Sequence, residues 1–177
     1  MALVLRTLTP TDEAAFLRAF ELTKATDPNF AHYYRAELAF ATYLRVLDDA
    51  EHGVGLPDGH VPSTLLFGFV DGEIVGRLML RHSLNEFLSR FGGNIGYVVV
   101  PTHRRRGYAT EMLRSGLQRA RAMGLDKVLV TCDTDNVASR RTIEKCGGVY
   151  EGSTPASDAS VAKRRYWIHL GPRPSEP

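Results

Sequence analysis

The sequence predicts a single α/β domain in which a mixed, mostly antiparallel central sheet of about seven strands is flanked by helices. Three observations lead to this prediction. The length of 177 residues suits one α/β unit and is short for two. Two apolar runs flank Asp71-Gly72, which is a hairpin signal. Residues 94–124 then read as strand, loop and helix. Antiparallel strands followed by a strand–helix–strand unit give a mixed sheet with helices on both faces.

The elements follow from apolar spacing and turn residues, taken in chain order. A strand at residues 3–8 precedes a helix from Thr11 to about residue 25, and the aromatic-rich residues 31–51 are predicted to form a second helix. A loop covers residues 53–62, strands 65–70 and 74–81 flank the hairpin turn, and residues 83–90 are predicted to form one or two helical turns. Strands 149–152 and 164–170 close the sheet.

Residues 94–124 are the most informative part of the chain. Ile95 and the run 98–100 form an apolar, β-branched strand that stops at Pro101. An arginine-rich loop turns at Gly107, and from Ala109 small or apolar residues recur at helical spacing as far as Gly124. This order directs the amides of the turn and a helix N-terminus at one point. It therefore predicts a site for phosphate or pyrophosphate.

The same residues carry a family resemblance. Val99, Pro101, Arg104, Gly107 and Ala109 are spaced V-x-P-x-x-R-x-x-G-x-A, which resembles the acetyl-CoA signature of the GNAT superfamily of N-acetyltransferases. After a predicted strand at 127–132, Asn136-x-x-Ser139 and residues 143–147 resemble the helix that follows this family's fifth strand. The resemblance covers roughly residues 64–170, and the first 63 more weakly. It implies the family's fold, in which the fourth and fifth strands splay to admit the cofactor.

The resemblance also implies an activity and a set of cofactor contacts. A GNAT enzyme moves the acetyl group of acetyl-CoA directly to an amine in a ternary complex, and no metal is expected. Backbone groups of Tyr97, Val98 and Val99 would pair with the pantetheine arm, and the Val99 N–H would polarise the thioester carbonyl. The remaining predicted cofactor contacts are Arg105, Arg106, Gly107, Tyr108, Ala109, Thr110 and Asn136. The arginines could instead form a solvated loop, and Asn136 could cap its helix.

The sequence offers three candidates for the general acid and the general base. Many family members place a tyrosine acid where this chain has Ile143, so Ser139 is the candidate donor to the leaving thiolate. Glu86 and His82, just upstream of the fourth strand, are the nearest candidates for the base. A purely structural role stays open for all three, and a water chain to solvent could deprotonate the amine instead.

The partners are constrained mainly by composition. The acceptor stays open among small amines, a peptide N-terminus, lysine and aminoglycosides. A net charge of +2 with dispersed basic residues argues against a nucleic-acid partner, and no apolar run approaches the roughly 20 residues of a membrane span. Cys132 and Cys146 suit reduced thiols in the cytoplasm. We expect a monomer or homodimer, with residues 1–170 forming the domain and 171–177 a flexible tail.

One rival function stays open at this point. A non-catalytic domain that binds or senses acyl-CoA would share every cofactor feature and lack the chemistry. The absence of a tyrosine at Ile143 is compatible with such a domain.

Overall fold

A computed structural model describes residues 2–157 and 160–171, so the predicted tail lies, apart from Gly171, outside the described residues. The described residues form a sheet of seven strands in the order β1-β2-β3-β4-β5-β7-β6. They are β1 Val4–Arg6, β2 Ser63–Val70, β3 Glu73–Arg81, β4 Ile95–Val99, β5 Lys127–Asp133, β6 Val149–Thr154 and β7 Lys163–His169. Neighbouring strands are antiparallel except for the parallel pair β4–β5. The predicted fold class is confirmed.

In the described part of the chain, four α-helices cover the sheet: α1 Glu13–Thr23, α2 Phe40–His52, α3 Tyr108–Ala122 and α4 Val137–Lys145. Helix α1 follows a 3₁₀ turn at Pro10–Asp12, where the Thr9 N–H donates to the Asp12 carboxylate at 2.7 Å. Arg6 donates to the same carboxylate at 2.7 Å, and this contact lowers the pKa of Asp12 to about 2. The first strand and the first helix are therefore joined by a charged hydrogen bond.

The hairpin between β2 and β3 has the predicted turn. Asp71 and Gly72 have φ angles of 52° and 79°, and a type I′ turn requires positive values at both central positions. The predicted helical turns at 83–90 are helical from residue 86 onward, and a π-type turn spans Leu88–Gly92.

The predicted second helix is wrong at its start. Helix α2 begins at Phe40, and residues 31–38 form turns. Tyr33 has a φ of 66°, which no α-helix accommodates. Its hydroxyl lies 2.8 Å from Nδ1 of His60, and the Tyr43 hydroxyl donates to the His32 carbonyl at 3.2 Å. These long-range contacts override the helical pattern of the local sequence.

Two apolar cores lie on the two faces of the sheet. Helices α3 and α4 pack over one face, around Leu78, Ile95 and Ile143. Helices α1 and α2 pack over the other around an aromatic cluster in which Phe16 is fully buried, with ring centroids 5.1 Å from Tyr43 and 5.9 Å from Phe67.

Phe16→Ala is expected to lower the free energy of unfolding by about 3–5 kcal/mol, because it removes buried apolar area and leaves a cavity among rings that cannot close over it. Urea denaturation measures the change. Phe87, which is 47% exposed, is the control, and Phe87→Ala should cost less than about 1 kcal/mol. Equal decreases in the free energy of unfolding for Phe16→Ala and Phe87→Ala would contradict the assignment of Phe16 to the core.

Candidate active site

The site begins at the gap between β4 and β5. Within the described residues these strands pair only at Ile95 and Val130. On the other side of β4, the Val100 N–H donates to the Val75 carbonyl at 2.9 Å. The backbone groups of alternate residues in an antiparallel strand point to opposite sides. Those of Tyr97 and Val99 therefore point into the gap, whereas those of Val98 face β3.

The arginine-rich turn leads from β4 into α3 at the mouth of this gap. Arg105 and Gly107 have φ angles of 66° and 86°. Among the described residues, the amides from 105 to 109 donate to no other backbone group, whereas the Thr110 amide donates to the Gly107 carbonyl at 2.9 Å. The turn thus presents a group of free donors at a helix N-terminus, which is the geometry that binds a diphosphate.

The gap and the turn form one cleft of about 830 Å³, which we call the cofactor cleft. Most of the predicted site residues line it: Tyr97, Val98, Val99, Arg105, Gly107, Tyr108, Ala109, Thr110, Asn136 and Ser139. Arg106 is exposed on the turn and is not among the lining residues. Arg104, Arg141 and Lys145 also line the cleft and make it cationic.

The start of α4 brings Asn136 and Ser139 to the edge of the gap. Oδ1 of Asn136 accepts the Ser139 N–H at 3.0 Å, so Asn136 caps the helix and also lines the cleft. The Tyr97 hydroxyl lies 2.9 Å from Oγ of Ser139. Burial raises the pKa of Tyr97 to about 12, so this phenol keeps its proton at neutral pH. Ile143 is fully buried in the core.

The structure does not bring Glu86 and His82 together with Ser139. Neither residue lines the cofactor cleft or the second cleft described below. Nε2 of His82 lies 2.9 Å from Oγ1 of Thr64 on β2, and Glu86 is exposed. The two residues are close to β4 along the chain, but the intervening turn at Leu88–Gly92 separates them from the gap.

A second cleft, of about 420 Å³, lies against the gap and has a different character. It contains Asp27, His32, Arg77 and Arg81, none of which was among the residues predicted for the site. The sequence does contain a pattern that indicates part of this cleft. Arg77 and Arg81 interrupt an apolar strand at an even spacing, which places both arginines on one face of the sheet.

The ionisable groups of the second cleft are perturbed by burial and by one another. Burial, then Arg77 and Arg81, lowers the pKa of His32 to about 4, so this imidazole is neutral at pH 7. Burial and then the charge of Arg77 lower the pKa of Arg81 to about 10. Burial also lowers the pKa of Arg77, against the opposing effect of Asp27.

The two cysteines do not have the character of nucleophiles. Both are free, and burial raises the pKa of each thiol. An activated cysteine needs the opposite shift. Within the part of the chain that the structure describes, no three His, Cys, Asp or Glu side chains are grouped so as to hold a metal ion.

Comparison with known families explains this arrangement. A family model described as "Acetyltransferase (GNAT) domain" matches residues 2–149. The chain belongs to the GNAT acetyltransferase family. It is therefore an acyltransferase, and acetyl-CoA is its cosubstrate. The free amides of the turn and the open strand edge of β4 fit that group, since a diphosphate needs donors and a pantetheine arm needs a strand edge.

Solved structures show the same fold in distant relatives. RimJ of Mycobacterium smegmatis, in complex with CoA-disulfide, is 21% identical with a TM-score of 0.67, and the match covers 94% of this chain and 81% of that one. A putative acetyltransferase of Salmonella typhimurium, yncA with its cofactor acetyl-CoA, is 14% identical with a TM-score of 0.63 and coverage of 100% and 98%.

A further Salmonella typhimurium acetyltransferase, which modifies the N-terminal serine of ribosomal protein L7/L12, is 16% identical to this GNAT chain. Its TM-score is 0.66, with coverage of 96% and 95%. A comparison with curated proteins finds no match. In the described part of the chain, no helix has the length and apolar character needed to cross a membrane.

Proposed function

We propose that this GNAT protein is an N-acetyltransferase that moves the acetyl group of acetyl-CoA directly to an amine in a ternary complex. One observation carries the proposal: the cofactor cleft and the second cleft meet. Five residues line both of them, namely Asp27, Tyr97, Val98, Asn136 and Ser139. An acceptor in the second cleft would therefore lie against the thioester end of the cofactor cleft, and direct transfer needs no covalent intermediate on the protein.

The cofactor would be held mainly by backbone groups. The amides from Arg105 to Ala109 would bind the diphosphate, with the cationic side chains at the rim adding charge. The exposed edge of β4 would pair with the pantetheine arm through Tyr97 and Val99. When bound, acetyl-CoA supplies an acetyl group activated as a thioester. The Val99 N–H points into the gap and would stabilise negative charge that develops on the carbonyl oxygen.

Proton transfer would use groups at the junction of the clefts. The nitrogen–carbon bond forms and the carbon–sulfur bond breaks. The acceptor ammonium loses two protons in this conversion to an amide: one would reach the leaving thiolate, and the other would be released to water. Ser139 is our candidate donor, and the Tyr97 hydroxyl positions it through the 2.9 Å contact. Asp27 carries the carboxylate at the junction and would attract the amine.

The free thiols of the two cysteines fit a reducing compartment such as the cytoplasm.

The test is a two-substrate kinetic experiment. Release of CoA is followed with a panel of small amines, amino acids and peptides, and the best acceptor is varied against acetyl-CoA. Intersecting double-reciprocal lines are expected for a ternary complex, whereas parallel lines would contradict direct transfer. Saturable binding of acetyl-CoA without turnover on any amine would favour the non-catalytic alternative.

Asp27→Asn is expected to raise the KM for the amine at least about 10-fold, because it removes one charged partner of the ammonium. Asparagine keeps the oxygen that accepts the Asn29 N–H at 3.0 Å, so the loop should stay in place. The Kd for acetyl-CoA, measured by calorimetry, should change less than about 2-fold. Asp58→Asn, on an exposed loop outside both clefts, is the control. An unchanged KM in Asp27→Asn would remove Asp27 from the proposal.

A further inference from the structure

A buried arginine in the second cleft lacks a full set of partners. Arg77 lies in the middle of β3 and is only 8% exposed. Its Nη2 donates to the Asn29 carbonyl at 3.2 Å, and its nearest carboxylate oxygen, on Asp27, is 3.7 Å away. Its Nε is buried without a hydrogen-bond partner among the described residues. A buried guanidinium that leaves a donor unpaired is costly, and it is retained most readily where a ligand completes it.

Arg81 lies on the same face of β3 and points into the same cleft. Its Nη1 donates only to carbonyl groups, those of Gly92 at 3.3 Å and Gly93 at 3.2 Å. No carboxylate of the described chain forms an ion pair with it. On the neighbouring strand β4, Gly96 lines the same cleft beside this guanidinium.

The charges of the second cleft do not cancel. Lys163 and Asp133 pair with each other across β5 and β7. Asp27 is the second carboxylate of the lining, and it faces Arg77. One carboxylate therefore remains in the lining against the charges of two arginines, and among the described residues it pairs only with Arg77. This excess of positive charge is partly desolvated, and low local dielectric strengthens its attraction for an anion.

We propose that this arginine pair binds a carboxylate of the acceptor, so that the substrate is a small amine that also carries a carboxylate, such as a free amino acid. The inference rests on the proposed N-acetyltransferase function and names its substrate class. The carboxylate would lie against Arg77 and Arg81, and the ammonium would lie near Asp27 at the junction with the cofactor cleft. A volume of about 420 Å³ is in the range of small-molecule sites.

A matched substrate panel tests the charge requirement. Each L-amino acid is compared with its amide and with the corresponding decarboxylated amine, since all three offer an amine but only one offers the carboxylate. We expect kcat/KM for at least one free amino acid to exceed that of its amide about 10- to 100-fold, the range for a charged hydrogen-bonded contact.

A binding measurement gives a readout apart from turnover. N-acetyl amino acids and their amides are titrated into the CoA-saturated protein, and binding is followed by calorimetry. The acids should bind and the amides should bind at least about 10-fold more weakly.

Variants of the arginines locate the effect. Arg77→Met and Arg81→Met should each abolish the preference for the acid over the amide while leaving the Kd for CoA unchanged. Arg77→Lys should keep part of the preference, because it retains the charge but loses the bidentate geometry. If the buried Arg77→Met variant fails to fold, the Arg81→Met variant still tests whether the arginine pair binds the carboxylate. Arg119→Met is the control, since Arg119 faces Glu51 outside both clefts.

The outcomes separate this inference from the function on which it rests. If CoA binds but acids and amides perform equally, or if no amino acid or N-acetyl amino acid responds, the carboxylate site is refuted and the cofactor site survives. If CoA itself does not bind, the proposed function fails first. Preference for an amidated peptide with an acidic side chain over every free amino acid would overturn the assignment to a small substrate.

Discussion

Gly107→Glu is expected to weaken binding of acetyl-CoA more than about 100-fold while leaving the fold intact. The residue precedes α3 with a φ of 86°, and the amides around it are free to bind a diphosphate. A Cβ at this position would meet only Oε1 of Glu111, at 3.9 Å, so the side chain has room. The backbone strain amounts to about 1–2 kcal/mol. The new carboxylate, however, would stand where the diphosphate must approach, and like charges would repel.

Calorimetric titration of acetyl-CoA measures this loss, and circular dichroism with thermal unfolding checks the fold. Gly55→Glu is the matched control, because Gly55 also has a positive φ, of 60°, and a Cβ added there would have no neighbouring atom within 4 Å. It lines neither cleft. It should therefore lose comparable stability but bind acetyl-CoA normally. Unchanged affinity in Gly107→Glu would refute the assignment of the turn to the diphosphate.

The cofactor cleft could be predicted from the sequence because its determinants are local. The strand that ends at Pro101, the glycine at 107 and the apolar stripe of α3 are consecutive in the chain. The backbone amides at such a turn have the same direction whatever side chains surround it. For the same reason the hairpin at Asp71-Gly72 was predictable, since its turn type depends on two residues.

The acceptor side could not be predicted in this way because it depends on contacts between distant segments. Asp27 and His32 lie in the connection between α1 and α2, whereas Arg77 lies on β3, and these two segments meet only in the folded chain. The same limit explains the error at residues 31–38, where contacts of Tyr33 and Tyr43 replace helix by turns. It also explains His82, which is near β4 in the chain but hydrogen-bonded to Thr64 on β2.

The cofactor cleft and the second cleft differ in how far the sequence predicts them because they bind different molecules. Acetyl-CoA is the cosubstrate, and in our proposal backbone groups of the turn and of β4 would hold its diphosphate and its pantetheine arm. The acceptor differs among relatives, so side chains such as Arg77 and Arg81 must provide its recognition.

Ser139→Ala is expected to lower kcat about 100-fold with the best acceptor of the amine panel, within the usual range for general acid catalysis. The hydroxyl lies at the junction of the two clefts, where the leaving thiolate would need a proton. Tyr97→Phe should lower kcat by a smaller factor, of about 10-fold. In our proposal the Tyr97 hydroxyl, 2.9 Å from Oγ of Ser139, orients the serine, so removing this hydroxyl should leave the serine less well oriented.

The double variant distinguishes this arrangement from two independent donors. If Tyr97 acts only through Ser139, Ser139→Ala with Tyr97→Phe should be no slower than Ser139→Ala alone, because residues that act as a unit are not additive. Multiplicative losses would instead make Tyr97 a donor in its own right.

The pH profile gives a second criterion. A free thiol has a pKa of about 8.5, so above that pH the thiolate can leave without a proton and the defect of Ser139→Ala should shrink. A defect that stays constant from pH 7 to about pH 9.5 would assign Ser139 a structural role in α4 rather than proton donation.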